Sequence, residues 1–398
     1  MNKIFKVIWS KSKQCYIVVS EIAKNKTGKK KIVVAGIFAA FAMVNGGYLA
    51  VAATNAGGSG SANAVAWGSG SKAPGDNAIA IGKGANAAKN NTIAIGTNSK
   101  ANLDMAVAVG NEASADTHGT AIGASAKTTG YGAFAGGVNA QANGVGAIAI
   151  GGATSDAYNQ NAVATGESAT AIGSSAIADG RGGVAVGWNA ESKVNAVGIG
   201  FNAKAKANNT VAIGVEANND KVNAISNNYS SVSIGVATRA RAVGSMAMGV
   251  SADASGKYSI ALGSGNVVND YTATANYPKA SGEKAIAIGY NSNSSNTAAT
   301  AIGAGATANG QDSFAGGSGT AGGNSSIAIG KGASISAPPA GTAVGGQDSI
   351  AVGTGASAKQ HSSITIGVGS TSDGVRNITI GPKASASGID SIAIGNGG

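Results

Sequence analysis

The sequence predicts an all-β fold, a flattened parallel roll (a solenoid) wound from coils of about 14 residues, and three observations carry that reading. A short apolar motif ending in glycine returns at a fixed interval: AVAWG closes at Gly68, AIAIG at Gly82, TIAIG at Gly96 and AVAVG at Gly110. A period of this kind marks stacked, nearly identical units that cannot bury their apolar face alone. Within the motif the apolar residues lie at spacing two, which gathers Ile79 and Ile81 on one face of a strand and would scatter them around a helix. The composition fits: of 398 residues, 64 are glycine and 43% are hydrophobic, yet only 5% are aromatic, so whatever core exists is thin.

The unit reads G-x-x-[AS]-x-[AS]-x4-h-A-h-G, with h an aliphatic residue, and recurs to the end of the chain. It contains two alternating stretches and so predicts two short strands, with the glycine and an Asn-rich stretch making the bends. Ile79, Ile81, Ile93 and Ile95 are expected to fill the interior against the small residues of the second strand, such as Ala85 and Ala87. The opposite face, through Ala80, Ala94, Ala108, Ala149 and Ala212, is then expected outside as a continuous small-residue stripe. A stripe that long should meet copies of itself in an obligate homo-oligomer; a monomeric solenoid with an incidentally Ala-rich face is the alternative. Some 23 coils at about 4.8 Å each would make a rod of about 110 Å.

Ahead of the repeats, the basic run KNKTGKKK at 24–31 precedes an apolar run from Ile32 to Val44, then Gly46, Gly47 and Ala50-Val51-Ala52. That order is a secretory signal, with cleavage after Ala52 and Ala53 or Ala56 as alternatives. The run is short for a membrane span, although a retained single anchor is the competing reading. Residues 1–23 form an amphipathic extension to this signal, 53–62 a flexible lead-in, and 63–398 the repeats. The stretch 1–56 holds nine lysines against one acid, Glu21, and the rest of the chain carries a surplus of only two positive charges. A basic balance confined to a terminal segment offers nucleic acid no footprint. The one cysteine, Cys15, lies in the same segment.

Catalytic and metal chemistry is not expected, nor any cofactor. The two histidines, His118 and His361, sit in bends without ligand-spaced partners and read as solvent-exposed loop residues. Gly317, Gly319 and Gly322 match G-x-G-x-x-G, but another strand follows where a phosphate site needs a helix. The acids do not pair as catalytic carboxylates would. The period lengthens between Gly214 and Gly235 and between Gly263 and Gly289, and the second stretch carries Tyr271, Tyr277 and Pro278. Those two tyrosines are candidate ligand contacts; rings packed back onto the roll are the alternative. The intervals 151–173 and 330–353 are also irregular.

The repeats NAIAIG at 77–82, SIAIG at 326–330 and SITIG at 363–367, behind an extended signal, resemble those of the trimeric autotransporter adhesins with YadA-like heads, and the resemblance covers residues 1 to 398. It implies a left-handed β-roll, a homotrimer, export through the Sec signal, and display on the outer membrane of a Gram-negative-type bacterium. It also implies binding to matrix proteins such as collagen, fibronectin or laminin, or to other bacterial cells, in attachment, autoaggregation, biofilm or virulence. Handedness and the number three come from the resemblance alone. Family members continue into a neck, a coiled-coil stalk and a membrane anchor; no heptads or membrane strands follow the repeats here, and the expectation is a fragment of a longer protein. Two other classes compete. A hexapeptide-repeat acyltransferase would repeat every six residues and need a catalytic histidine, and an ice-binding solenoid would need Thr-x-Thr rows, of which only Thr365 and Thr379 hint.

Overall fold

The computed structural model describes residues 5–10, 15–20, 63–152, 161–217, 230–265, 267–268, 272–273, 276–337 and 345–397. The signal's apolar run, the three candidate cleavage sites and Tyr271 lie outside the described residues. Near the N-terminus Phe5–Ser10 pairs antiparallel with Cys15–Ser20. The repeats form a parallel β-solenoid, with no helix among the described residues.

Each motif h-A-h becomes a three-residue strand, as in Ile79–Ile81 and Ile93–Ile95, or a five-residue one at Val232–Val236, Met246–Val250 and Ile260–Ser264. Twenty-two of them stack in register from Val65–Trp67 to Ile392–Ile394. The chain returns through two-residue strands in two parallel ladders, nine from Asn86–Ala87 to Lys204–Ala205 and ten from Arg239–Ala240 to Ser385–Ala386. The long ladder is unbroken where the short one is interrupted, since Val211–Ile213 pairs with Val232–Val236.

The bends are made by residues in the left-handed region. Asn77, Asn91, Asn98 and Asn139, among others, have φ near +55° to +58°, a conformation that asparagine tolerates and β-branched residues do not. The repeat glycine is more constrained. Gly82 has φ +127°, and a Cβ there would stand 2.5 Å from the Gly96 carbonyl oxygen of the next coil. Backbone amides hold the bends across coils: Asn91 N–H donates to Asp76 O at 2.8 Å, and Gly96 N–H to Ile81 O at 2.7 Å.

The face assignment made from the sequence is reversed. Ala80, Ala94, Ala108, Ala149 and Ala212 are wholly buried inside the single chain, stacked on one another from coil to coil, and cannot meet a partner. Ile79, Ile81 and Ile93 are half-buried on the outside, and Ile95 is 36% exposed. The reason is volume. So short a circuit, closed by two bends, brings the sheets close enough that four small side chains per coil fill the gap: Thr92, Ala94, Ser99 and Ala101 in one coil, Ala106, Ala108, Ala113 and Ala115 in the next. Among the described residues Ile335 is the largest fully buried side chain, and glycine makes its room, because a Cβ at Gly346 would fall on Ile335 Cγ2.

Several hydroxyls entering this interior bond to the turn. Thr92 Oγ1 donates to Lys89 O at 2.5 Å and Ser99 Oγ to Gly96 O at 3.0 Å. Thr365 and Thr379 take alanine's place at the centre of Ile364–Ile366 and Ile378–Ile380, fully buried and without a partner for either hydroxyl. They face inward, which removes them from any ice-binding surface.

Two outcomes follow from this interior. Ala94→Leu overpacks one closed layer and should cost about 1–3 kcal/mol. Hydrogen exchange should then show loss of protection in the coils around residues 80–110 and none beyond residue 280, because coils contact only their neighbours; uniform loss along the rod would contradict the close-packed interior. Thr365→Val with Thr379→Val exchanges two unpaired buried hydroxyls for methyl groups. It should raise stability by about 1 kcal/mol or more per site, read as a higher denaturation midpoint, and a fall would mean that the hydroxyls are hydrogen-bonded after all.

Candidate assembly and contact surfaces

With alanine inside, the long strands present two columns of side chains outward, large and aliphatic in most rows, with Thr120, Thr170 and Thr300 among the first column. Val107, Ile148, Val184, Val211 and Ile286 belong to the first column, and Ile150, Ile172, Ile213 and Ile302 to the second. Ile150 is 40% exposed and Ile302 41%. The face runs the whole ladder, about 105 Å at about 4.8 Å per strand. Two rows use a different combination to the same end. In Phe134–Gly136 and Phe314–Gly316 the second column is glycine, and the preceding ring fills the space: Phe134 Cε1 lies 3.0 Å and Phe314 Cε1 3.2 Å from where a Cβ would be. The surface therefore stays level where residue sizes change.

The bends and the short strands carry polar groups. Asparagines are linked across coils, Asn77 Nδ2 to Asn91 Oδ1 at 3.2 Å and Asn189 Nδ2 to Asn202 Oδ1 at 2.8 Å. Arg376 holds Asp390 two-handed, Nε to Oδ1 at 2.6 Å and Nη2 to Oδ2 at 2.8 Å. The hydrogen bonds from Arg376 lower the Asp390 carboxyl's pKa below its ordinary value, and those to Asp390 raise the guanidinium's. Both groups are fully exposed, so solvent screens the pair and it adds little to stability.

The break in the short ladder collects buried charge. On its near side Lys204 is 8% exposed and donates to Asn189 O at 2.8 Å and Glu191 Oε1 at 2.5 Å. On the far side Asp253, 4% exposed, accepts from Arg241 Nη2 at 2.8 Å and faces Arg239 Nε at 3.4 Å. Arg239 also lies over the ring of Tyr277, 5.4 Å from its centroid. Tyr277 thus packs back onto the roll on that side, as the alternative expectation had it. A depression of about 330 Å³ adjoins it, lined by Asn276, Tyr277, Lys279, Asn291, Asn293 and Thr307.

The remaining candidates from the sequence stay apart. His118 is half-buried, not solvent-exposed as expected, with its ring 4.6 Å from that of Tyr131. His361 Nδ1 lies 3.3 Å from Ser362 Oγ in another bend. No group of three His, Cys, Asp or Glu stands together among the described residues. Gly317, Gly319 and Gly322 bracket the short strand Thr320–Ala321 and precede no helix among the described residues. Sequence reasoning missed the stacked pair Trp188 and Phe201, centroids 4.8 Å apart, and the charges around the ladder break. The aromatic pair has a sequence signal, since both rings directly follow the repeat glycine in consecutive units.

Comparison with known families agrees with this architecture. Residues 1–46 match the Extended Signal Peptide of Type V secretion system. The YadA head domain repeat matches eleven stretches between residues 60 and 397, together more than half of the chain. Among curated proteins none matches the chain. The signal directs Sec export by the type V route to the cell surface. Carrying that signal ahead of a solenoid of YadA head repeats, the chain belongs to the trimeric autotransporter adhesins with YadA-like heads.

Proposed function

We propose that three copies of this head assemble side by side through the outward Ile and Val columns, and that the resulting rod attaches the cell to matrix proteins or to other cells. The observation that carries the reading is the mostly apolar outward face, interrupted in its first column only by Thr120, Thr170 and Thr300 among the described residues. A surface of that length is far larger than the patches monomers leave exposed. Each aliphatic side chain withdrawn from water contributes about 1.5–3 kcal/mol when fully buried, and here burial is only partial within one chain. The interior, made of alanine, releases much less per residue. A parallel, in-register arrangement would place each row against the same row of its neighbours, so that the Phe134 and Phe314 rows align only with themselves.

The polar bends remain outside such an assembly and repeat along it. We read them as many weak contacts on three chains, bound to collagen, fibronectin, laminin or other bacterial cells, and presented at the outer membrane. Once one contact is made the next is intramolecular, so retention grows with their number. The signal is placed at residues 1–52, with the mature chain starting after Ala52, Ala53 or Ala56. The repeats are read as binding rather than catalytic units, since adhesive heads of this type work by contact.

Charge on the apolar face tests the assembly. Ile95→Glu with Ile213→Glu forces carboxylates against their own copies in a dry interface, where an unpaired charge is strongly destabilising. Sedimentation should show the trimer replaced by smaller species, whereas Ala94→Glu should unfold the coil instead; an unchanged trimer would place the interface elsewhere. Deletion tests the array. Removing the two coils 83–110 should reduce retention on immobilised collagen or fibronectin gradually, in proportion to the coils lost, and abolition by that single deletion would assign adhesion to one local site.

A further inference from the structure

We propose that the depression beside Tyr277 is a saccharide site for an acidic glycan, one bearing carboxylate or sulfate groups; this rests on the adhesive reading above and names one class of target for it. Its floor is a straight column on the short ladder, Lys279 paired with Asn293 and Asn293 with Thr307, which spans about 10 Å over two coil spacings. Tyr277 makes one wall and Asn276 and Asn291 the rim.

The groups suit a sugar ring. An amide offers a donor and an acceptor side by side, which is what a pyranose hydroxyl requires. Some bend asparagines spend their amides on each other, as in Asn77 with Asn91 and Asn195 with Asn209, whereas the side chains of Asn276, Asn291 and Asn293, gathered at one place, have no hydrogen-bond partner among the described residues. Tyr277 supplies a flat apolar face for the C–H side of the ring. Arg239 lies over the same ring and shares the single carboxylate of Asp253 with Arg241, so the cluster behind the tyrosine keeps a surplus positive charge. Lys279, exposed and without an ion pair among the described residues, adds a second positive charge at the depression, and together they point to a ligand carrying negative charge.

The wall is fixed before anything binds. Pro278, the next residue, is fully buried, and its carbonyl accepts Asp253 N–H at 2.9 Å. Gly265 lies so close that a Cβ would come within 2.6 Å of Tyr277 Cβ. Asn276 is held at φ +94°, a strained value for a residue with a side chain, and strain of this kind collects at ligand clamps. A preset aromatic wall binds without the cost of ordering it.

The test titrates the exported protein with a chondroitin sulfate hexasaccharide and with neutral maltohexaose, followed by calorimetry. The acidic glycan should bind and the neutral one should bind at least about tenfold more weakly. Lys279→Ala and Tyr277→Ala should each lower affinity about tenfold or more, Tyr277→Phe should retain it, and Lys100→Ala should change nothing. Asn293→Ala, a substitution on the surface of an intact coil, keeps the test valid should Tyr277→Ala disturb the roll, and it too should weaken binding. No binding, equal binding of the neutral glycan, or equal sensitivity to Lys100→Ala would each overturn the proposal. Wild-type attachment to matrix without glycan binding would sink only this site, while absence of any attachment would sink the adhesive reading itself.

Discussion

The rest of the structure depends on the narrowness of the coil. A circuit that closes with two bends inside one repeat leaves an interior one small side chain deep from each sheet, and Ala80, Ala94 and Ala108 occupy it at full burial. Glycine yields space for the larger side chains that do enter, as Gly346 does for Ile335 and Gly374 for Asn377. Large aliphatic residues are therefore excluded from the one place where a globular protein would put them. They go outside, and the outside becomes the surface that a partner must cover. On the assembly proposed above, the need for a partner arises from coil circumference before it is a property of any single residue.

A thin interior also shifts the burden of stability. Alanine burial releases little free energy per residue, so order along the axis rests on ladders: backbone bonds at every bend, hydroxyls tied to turn carbonyls, and asparagine amides linked between coils. Each ladder satisfies groups that would otherwise be orphaned in a structure with so much backbone near the core. The rule has exceptions along the rod, where the buried hydroxyls of Thr128, Ser192, Ser231, Ser251 and Ser259 have no partner, and the C-terminal coils add more. Thr365, Thr379 and Asn377 are fully buried there. Asn377 bonds to Ala386 O at 3.0 Å, but the two threonine hydroxyls find nothing.

Period, strand pairs and bends were legible because each has a local signature: glycine where φ must be positive, asparagine in the left-handed bends, β-branched residues at spacing two. The direction of the strand faces was not. Alternation separates residues into two sets, and it identifies the inner set only when the other is polar. Here Ile79 and Ala80 are both apolar, so pattern is silent and volume decides. A count of small residues per coil, four in the circuit from Thr92 to Ala101, would have given the answer. The extra residues around Tyr277 were legible as a break in spacing. Their packing was not, because Arg239 and Asp253 come from earlier coils, and no local pattern links them to the tyrosine.

The two kinds of strand divide the work. The long ladder tolerates no interruption: it is continuous from Val65 to Ile394, even across the place where Lys204–Ala205 and Arg239–Ala240 are left without a bridging short strand. The bends tolerate much. The step from Gly110 to Gly123 is shorter than the one from Gly96 to Gly110, and the intervals after Gly214 and Gly263 are longer than either. Because every unit touches only its neighbours, an added segment at a bend disturbs one coil, whereas a change in the long strand alters the continuous outward face through which assembly is proposed. Contact chemistry can therefore vary at the bends without a change in the long strands, and the depression beside Tyr277 lies where the chain departs from its period.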